Sequence, residues 1–160
     1  MRSKEIFNMT GRIAAVTLLS IFLINVIPVM ALPADQTNAP ASLEKTKSMA
    51  EAQHEIVVLL IQKKDYEKAL EEANKIFDMK WPDDQEPLLV KELSNLADQF
   101  LRSSQAPLGV RLIDRNFGRF KKSSSQAALL KEMGYLYKSL NQGDKAIEYF
   151  RKARDLEGGK

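Results

Sequence analysis

AALLKEMGYLYKSLNQGDKAIEYFRKARDLEGGK, residues 127–160, is the stretch whose reading decides the fold. Leu130, Met133, Gly134 and Tyr137 recur at intervals of three and four, which places them on one face of a helix. Asn141-Gln142-Gly143-Asp144 then supplies turn chemistry. Ala146, Phe150 and Ala153 follow at the same helical spacing, so the stretch reads as helix, turn, helix. Gly134 and Ala146 let the two helices approach closely, and Tyr137 and Phe150 fill the space beside them.

The same signals recur upstream. Ser48-Met49-Ala50-Glu51 has the form of a capping box that opens a helix, and Ile56, Val57, Leu59, Leu60 and Ile61 give that helix a wide apolar stripe. Lys63-Lys64 close it and Asp65 caps the next, in which Tyr66, Ala69, Leu70, Ala73, Ile76 and Phe77 hold helical spacing. Setting Ala69 against Ala146 makes Gln53, Ile56, Val57 and Leu60 the counterparts of Leu130, Met133, Gly134 and Tyr137. A middle copy is fainter: Leu93, Leu96, Ala97 and Phe100, then Gly109 and Ile113, with Asn116 where Ala153 stands in the last copy. Pro107 falls in a first helical turn behind a Ser104 cap. Ala69, Gly109 and Ala146 lie 40 and 37 positions apart. The spacing assigns the variable length to loops at 84–89 and 124–126, with Ser123-Ser124-Ser125-Gln126 capping the last pair.

In this order and spacing the residues resemble the tetratricopeptide repeat, a helical hairpin of about 34 residues with a large apolar residue, Leu-Gly and Tyr on its first helix and Ala, Phe, Ala on its second. The likeness is strongest in the last copy. It departs from the pattern at Gly158, where the family usually has Pro. The resemblance implies an all-α fold, a right-handed solenoid of about three hairpins over 50–83, 90–123 and 127–160 within a domain covering 48–160. One such unit cannot bury its own apolar face, so stacked neighbours are required. It further implies a scaffold that binds a protein or peptide in a concave groove lined by the first helices. Carried over by position, the groove side chains are Glu51, His54 and Val58; then Lys91, Ser94, Asp98 and Arg102; then Lys131, Tyr135 and Lys138. His54 and Val58 stand where chaperone adaptors of the family carry a carboxylate-clamping Lys and Asn, which disfavours that role.

Ahead of the repeats, Arg2, Lys4 and Arg12 precede a largely apolar run from Ile13 to Ile24, and Val29-Met30-Ala31 has the form of a signal-peptidase site. Residues 1–31 therefore read as a signal peptide cut after Ala31 or after Ala34. The alternative is an uncleaved tether through residues 13–30, close to the length of about 20 residues that spans a bilayer. Either reading places the domain outside the cytoplasm: an exported protein, best matched to a bacterial periplasm, or an inner-membrane anchored one. Residues 32–47, with Pro33 and Pro40, read as a flexible spacer. Loss of residues 1–31 removes Arg2, Lys4, Arg12 and Glu5 and leaves 21 basic against 20 acidic side chains. So even a balance argues against nucleic acid as the partner.

The 160 residues contain no cysteine and one histidine. That excludes disulfides and thiolate metal sites, and it leaves His54 as the sole imidazole for any metal or triad. No carboxylate pattern around His54 fits a metal, and no GxSxG, Walker or GxGxxG sequence occurs. The chain is read as non-catalytic, with no cofactor and no metal; the enzyme alternative is a hydrolase of some envelope substrate whose activity disappears in His54→Ala. The acids of Trp81-Pro82-Asp83-Asp84-Gln85-Glu86-Pro87 are read as first-turn charges against a helix dipole rather than a cation loop. Arg111, Arg115 and Arg119, with Lys122 beyond, are spaced as a basic stripe along one helix, either solvated or facing an acidic partner or lipid head group. A membrane-tethered, self-associating structural component is the competing reading of the whole.

Overall fold

The computed structural model describes residues 38–159, all helices and turns: α1 Asn38–Gln62, α2 Tyr66–Asp78, α3 Glu86–Arg102, α4 Ala106–Phe117, α5 Ser123–Ser139 and α6 Gly143–Glu157, with a 3₁₀ turn at Asp83–Gln85. Residues 1–31, read above as a signal peptide, and residues 32–37 lie outside the described residues. Consecutive helices pair as three hairpins, α1 with α2, α3 with α4 and α5 with α6, and each hairpin packs against the next. The core runs without a break from Val57 to Leu136, through Ile76, Leu93, Leu96, Phe100, Leu112, Ile113, Leu129 and Met133. Residues 35–160 cluster as one compact unit, and this core lies wholly within it.

The three hairpins share one turn. Lys64, Ser104 and Asn141 each take positive φ, at 63°, 61° and 56°. In each, the next N–H reaches back to a carbonyl five residues earlier: Asp65 to Leu60 at 2.9 Å, Gln105 to Phe100 at 2.8 Å, Gln142 to Tyr137 at 3.0 Å. The left-handed residue itself donates to Ile61, Leu101 or Lys138. This is the Schellman closure, which satisfies carbonyls that the helix end leaves free, here on residues that carry a Cβ. Ser104 is thus the closing residue of α3 and not the cap of α4, whose N-cap is Gln105. Asp65 stands at the N-cap of α2 but makes no side-chain capping bond.

Close approach in the last hairpin has the expected cause. A Cβ added at Gly134 would lie 2.6 Å from Phe150 Cε1, so the ring occupies the space that glycine leaves. Tyr135 meets Phe150 edge-on at 5.2 Å and Tyr137 stacks on Tyr149 at 5.1 Å. Between the second and third hairpins, a Cβ at Gly109 would lie 2.9 Å from Leu136 Cδ2. In the first hairpin Val57 takes the glycine position and is fully buried. There Gln53 ties α1 to α2, its amide donating to Glu72 Oε2 at 2.7 Å and to the Glu72 carbonyl at 3.2 Å.

Three expectations change. First, α1 starts at Asn38, so the helix takes in 38–47 of the stretch read as spacer, and Ser48-Glu51 lies inside it instead of opening it. Nothing from Ala41 to Gln62 breaks a helix, Pro40 falls where no intrahelical N–H is required, and Glu44 pairs with Lys47 at 3.1 Å. Second, the extra repeat length is not all loop. Both α3 and α5 begin four residues ahead of the aligned repeat start, with Leu89 and Ser124 to Gln126 inside helices. Third, the serine run does not cap α5 from within. The N-cap is Lys122, which makes no side-chain bond, and its N–H is taken by Glu86 Oε1 at 2.9 Å. Burial pushes the Glu86 carboxyl up, but the Ser125 hydroxyl and the Lys122 N–H outweigh this and leave it below its usual value. A carboxylate at the start of α3 therefore caps the next hairpin, where the helix dipole favours it.

Asn116 explains the faintness of the middle copy. It is fully buried, donating to the Leu112 carbonyl and to Asn74 Oδ1, both at 2.9 Å, while Asn74 donates to Leu70 at 2.7 Å. The pair joins α2 to α4. Its remaining acceptor, Asn116 Oδ1, is buried without a partner.

Candidate protein-interaction groove

Of the residues that resemblance placed in a single groove, Glu51 and His54 line a groove of about 620 Å³ between α1 and the start of α3. His54 Nδ1 meets Glu92 Oε1 at 2.6 Å across it. With the carboxylate accepting, that nitrogen carries the proton. The apolar wall is Ile76, Trp81, Leu88 and Leu89, and the rim carries Glu51, Glu55 and Glu92 against Lys47. Trp81 is fixed by its indole N–H, which donates to the Ile76 carbonyl at 2.8 Å. Leu88 stays 42% exposed beside these carboxylates. An apolar surface with few convergent charges is the usual make-up of a recognition site.

Val58 is half-buried on α1, and neither it nor Lys91, Ser94, Asp98 and Arg102 of α3 lines that groove. Asp98 is drawn to Arg102 at 2.6 Å. It also faces Glu132 of α5, whose carboxyl is pushed up by burial and by Asp98. In the last hairpin Lys131 turns to Glu157 at 2.6 Å and Tyr135 to Phe150, so both face α6. Lys138 is exposed in the final turn of α5.

The basic stripe is divided by the end of α4 at Phe117: Arg119 and Lys122 lie beyond it. Its arginines are paired within the fold. Arg111 meets Glu67 at 2.7 Å, Arg115 meets Asp78 at 3.3 Å, and Arg119 also pairs with Asp78. These exposed pairs lace α4 to α2 and leave the surface there close to electrically balanced.

A second groove of about 610 Å³ separates α4 from α5 and α6, lined by Phe117, Leu130, Met133, Tyr149 and Leu156 with Asp114, Lys152 and Asp155. Burial raises both the Asp114 carboxyl and the Tyr149 hydroxyl above their usual values. Among the described residues no cluster of three His, Asp or Glu side chains is placed to hold a metal ion. No described helix is long and apolar enough to cross a membrane.

Sequence reasoning missed Glu92, Trp81 and Leu88. The one available signal was the chain's single Trp beside two prolines in a connection, since rigid aromatic side chains in loops often serve binding.

Against known families, residues 132–157 match the tetratricopeptide repeat. The match covers the hairpin where Gly134 lies against Phe150. Comparison with curated proteins and with solved structures gives no match. Among the described residues, six helices in three hairpins with one recurring turn, and a family match on the third hairpin, are consistent with a tetratricopeptide-like helical repeat, an architecture that suggests a protein–protein interaction module.

Proposed function

We propose that this protein is a non-catalytic scaffold of the bacterial cell envelope that holds an extended segment of a partner protein in the groove between α1 and α3. The observation that carries the reading is the groove's composition: an apolar wall of Trp81, Leu88 and Leu89 under three carboxylates and one lysine. It fits a segment with one large apolar side chain next to Lys or Arg. The apolar residue would supply the anchor and the base would set orientation. Because α1 and α3 are held by the common core, the partner alone loses conformational freedom on binding. Export is supported by Arg2, Lys4 and Arg12 ahead of the apolar run and by Val29-Met30-Ala31. A mature mass lacking residues 1–31 or 1–34 would bear this out. Retention of the full mass would instead favour an anchored protein.

The test is to pan a displayed peptide library against residues 35–160. Enriched peptides should pair Leu, Phe or Trp with a neighbouring base, and Glu51→Lys with Glu55→Lys should weaken them about tenfold or more. Peptides indifferent to these changes, or no enrichment, would remove the groove from consideration.

A further inference from the structure

We infer that this domain stacks on a second copy of itself, head to tail, with the α5/α6 end of one copy seated on the α1 face of the next. The observation is that each end of the stack exposes apolar side chains whose counterparts inside the chain are buried by a neighbouring hairpin. Ile56 and Leu59 on α1 are 45% and 53% exposed, while their counterparts Leu96, Met133 and Leu136 are 0%, 1% and 1% exposed. At the other end Ile147 on α6 is 50% exposed, whereas Leu70, its counterpart in the first hairpin, is at 6%. Tyr135, set edge-on against Phe150 of the same hairpin, adds a half-exposed ring. Nothing among the described residues covers either end.

The two ends are the two halves of an interface that the chain already makes between its second and third hairpins. There Leu136 presses on Gly109, close enough that a Cβ on the glycine would sit 2.9 Å from it. Leu59 is the counterpart of Leu136 and Ala146 the counterpart of Gly109, so the same register carries Leu59 of one copy onto the exposed Ile147 of another, next to Ala146, which is buried within its own chain. Association would continue the internal packing, and stacked repeats are stabilised by neighbour contacts of this kind. The charges that flank the interface between the first and second hairpins are reproduced only in part. Arg115 and Asp78 map onto Lys75 and Asp155, keeping the signs, but Arg111 and Glu67 map onto Glu71 and Asp144, two acids. The contact is therefore apolar in origin, and rising salt should not weaken it. An interface between unlike faces does not close on itself in a dimer, so the wild-type series should run beyond dimer.

The experiment uses Leu59→Glu and Ile147→Glu in residues 35–160, each checked for wild-type helicity by circular dichroism and followed by sedimentation velocity. The wild type should form concentration-dependent species beyond dimer, and each variant alone should associate at least about tenfold more weakly. Mixed one to one, the variants should give a dimer and stop there, because each keeps one intact face. Loss through Leu59→Glu alone would mean two α1 faces meeting, and a wild type that stays monomeric to about 1 mM would mean no self-contact; either overturns the inference. The full chain, which has no native cysteine, provides the second measurement. Leu59→Cys mixed with Ile147→Cys should cross-link on oxidation while neither does so alone. A full chain that fails to cross-link although residues 35–160 associate would assign the α1 face to the chain's own N-terminal segment and overturn the inference for the intact protein. Neither face includes Glu51, His54 or Glu92, so failure here leaves peptide binding in the groove intact.

Discussion

Replacing Gly134 by Ala should destabilise the domain, although a glycine inside a helix ordinarily improves by about 1 kcal/mol on that change. The added methyl would meet three atoms of the Phe150 ring at 2.6, 2.7 and 2.8 Å. Carbon atoms in contact prefer roughly 3.5–4.0 Å, so the ring must retreat by about 1 Å. Phe150 is also held edge-on by Tyr135 at 5.2 Å, so retreat disturbs that pair as well. Overpacking costs about 1–3 kcal/mol and a weakened aromatic pair about 0.5–1.5 kcal/mol. Against the propensity gain, the net is a loss of about 0.5–3.5 kcal/mol, or roughly 2–14 °C in melting temperature at about 4 °C per kcal/mol. Urea denaturation followed by far-ultraviolet circular dichroism reads this directly, as a lower midpoint at unchanged slope. Two controls separate crowding from propensity. Gly118 has no atom within 4 Å of an added Cβ and takes helical φ of −65°, so Gly118→Ala should be neutral or mildly stabilising. In a Phe150→Leu background, Gly134→Ala should lose most of its penalty. If Gly134→Ala is as stable as wild type, or keeps its full penalty without the Phe150 ring, the close-approach argument for the last hairpin fails.

Lys64→Gly and Ser104→Gly, at φ 63° and 61°, should each stabilise the domain by about 0.5–1 kcal/mol in the same denaturation assay, and Asn141→Gly by less because Asn tolerates that conformation. Asn74→Leu and Asn116→Leu should each destabilise alone by about 1–3 kcal/mol, since each strands the other's polar atoms. Together they should come out near neutral, and a double-mutant cycle showing simple additivity would contradict a buried amide pair. Glu86→Gln should cost about 1 kcal/mol at neutral pH through the lost cap on α5. Because the folded carboxyl lies below its usual 4.5, this stabilisation is present above that value and disappears as pH falls through the lowered one. Wild type and variant should therefore converge in acid, and a gap that persists there would assign the effect to packing.

What the sequence disclosed follows what periodicity can carry. The spacing of Leu130, Gly134, Tyr137, Ala146 and Phe150 reports which face of each helix is apolar and where two helices come close. That information is local, and it sufficed for the hairpins. The start of α1 was missed because a helix without a strong breaker extends past a good internal cap. The Glu86 cap and the Asn74–Asn116 pair join residues 36 and 42 positions apart. No local rule reports such distances. The groove was half legible for the same reason: position on α1 found Glu51 and His54, but their opposite wall belongs to α3 and to Trp81. Lys131 and Tyr135 were placed by position in the repeat, and no local rule reports their contacts with Glu157 and Phe150.

The central claim is that the groove between α1 and α3 holds a partner segment. Its most direct test is titration of ¹⁵N-labelled residues 35–160 with a peptide of the apolar-plus-basic class, mapping the amide shifts. The account expects saturable shifts at Glu51 to Glu55, at the Trp81 indole N–H and at Leu88 to Asn95, abolished by Glu51→Lys with Glu55→Lys. Shifts centred on Asp114, Tyr149 and Lys152, in the groove between α4 and α6, or none at all, would contradict it.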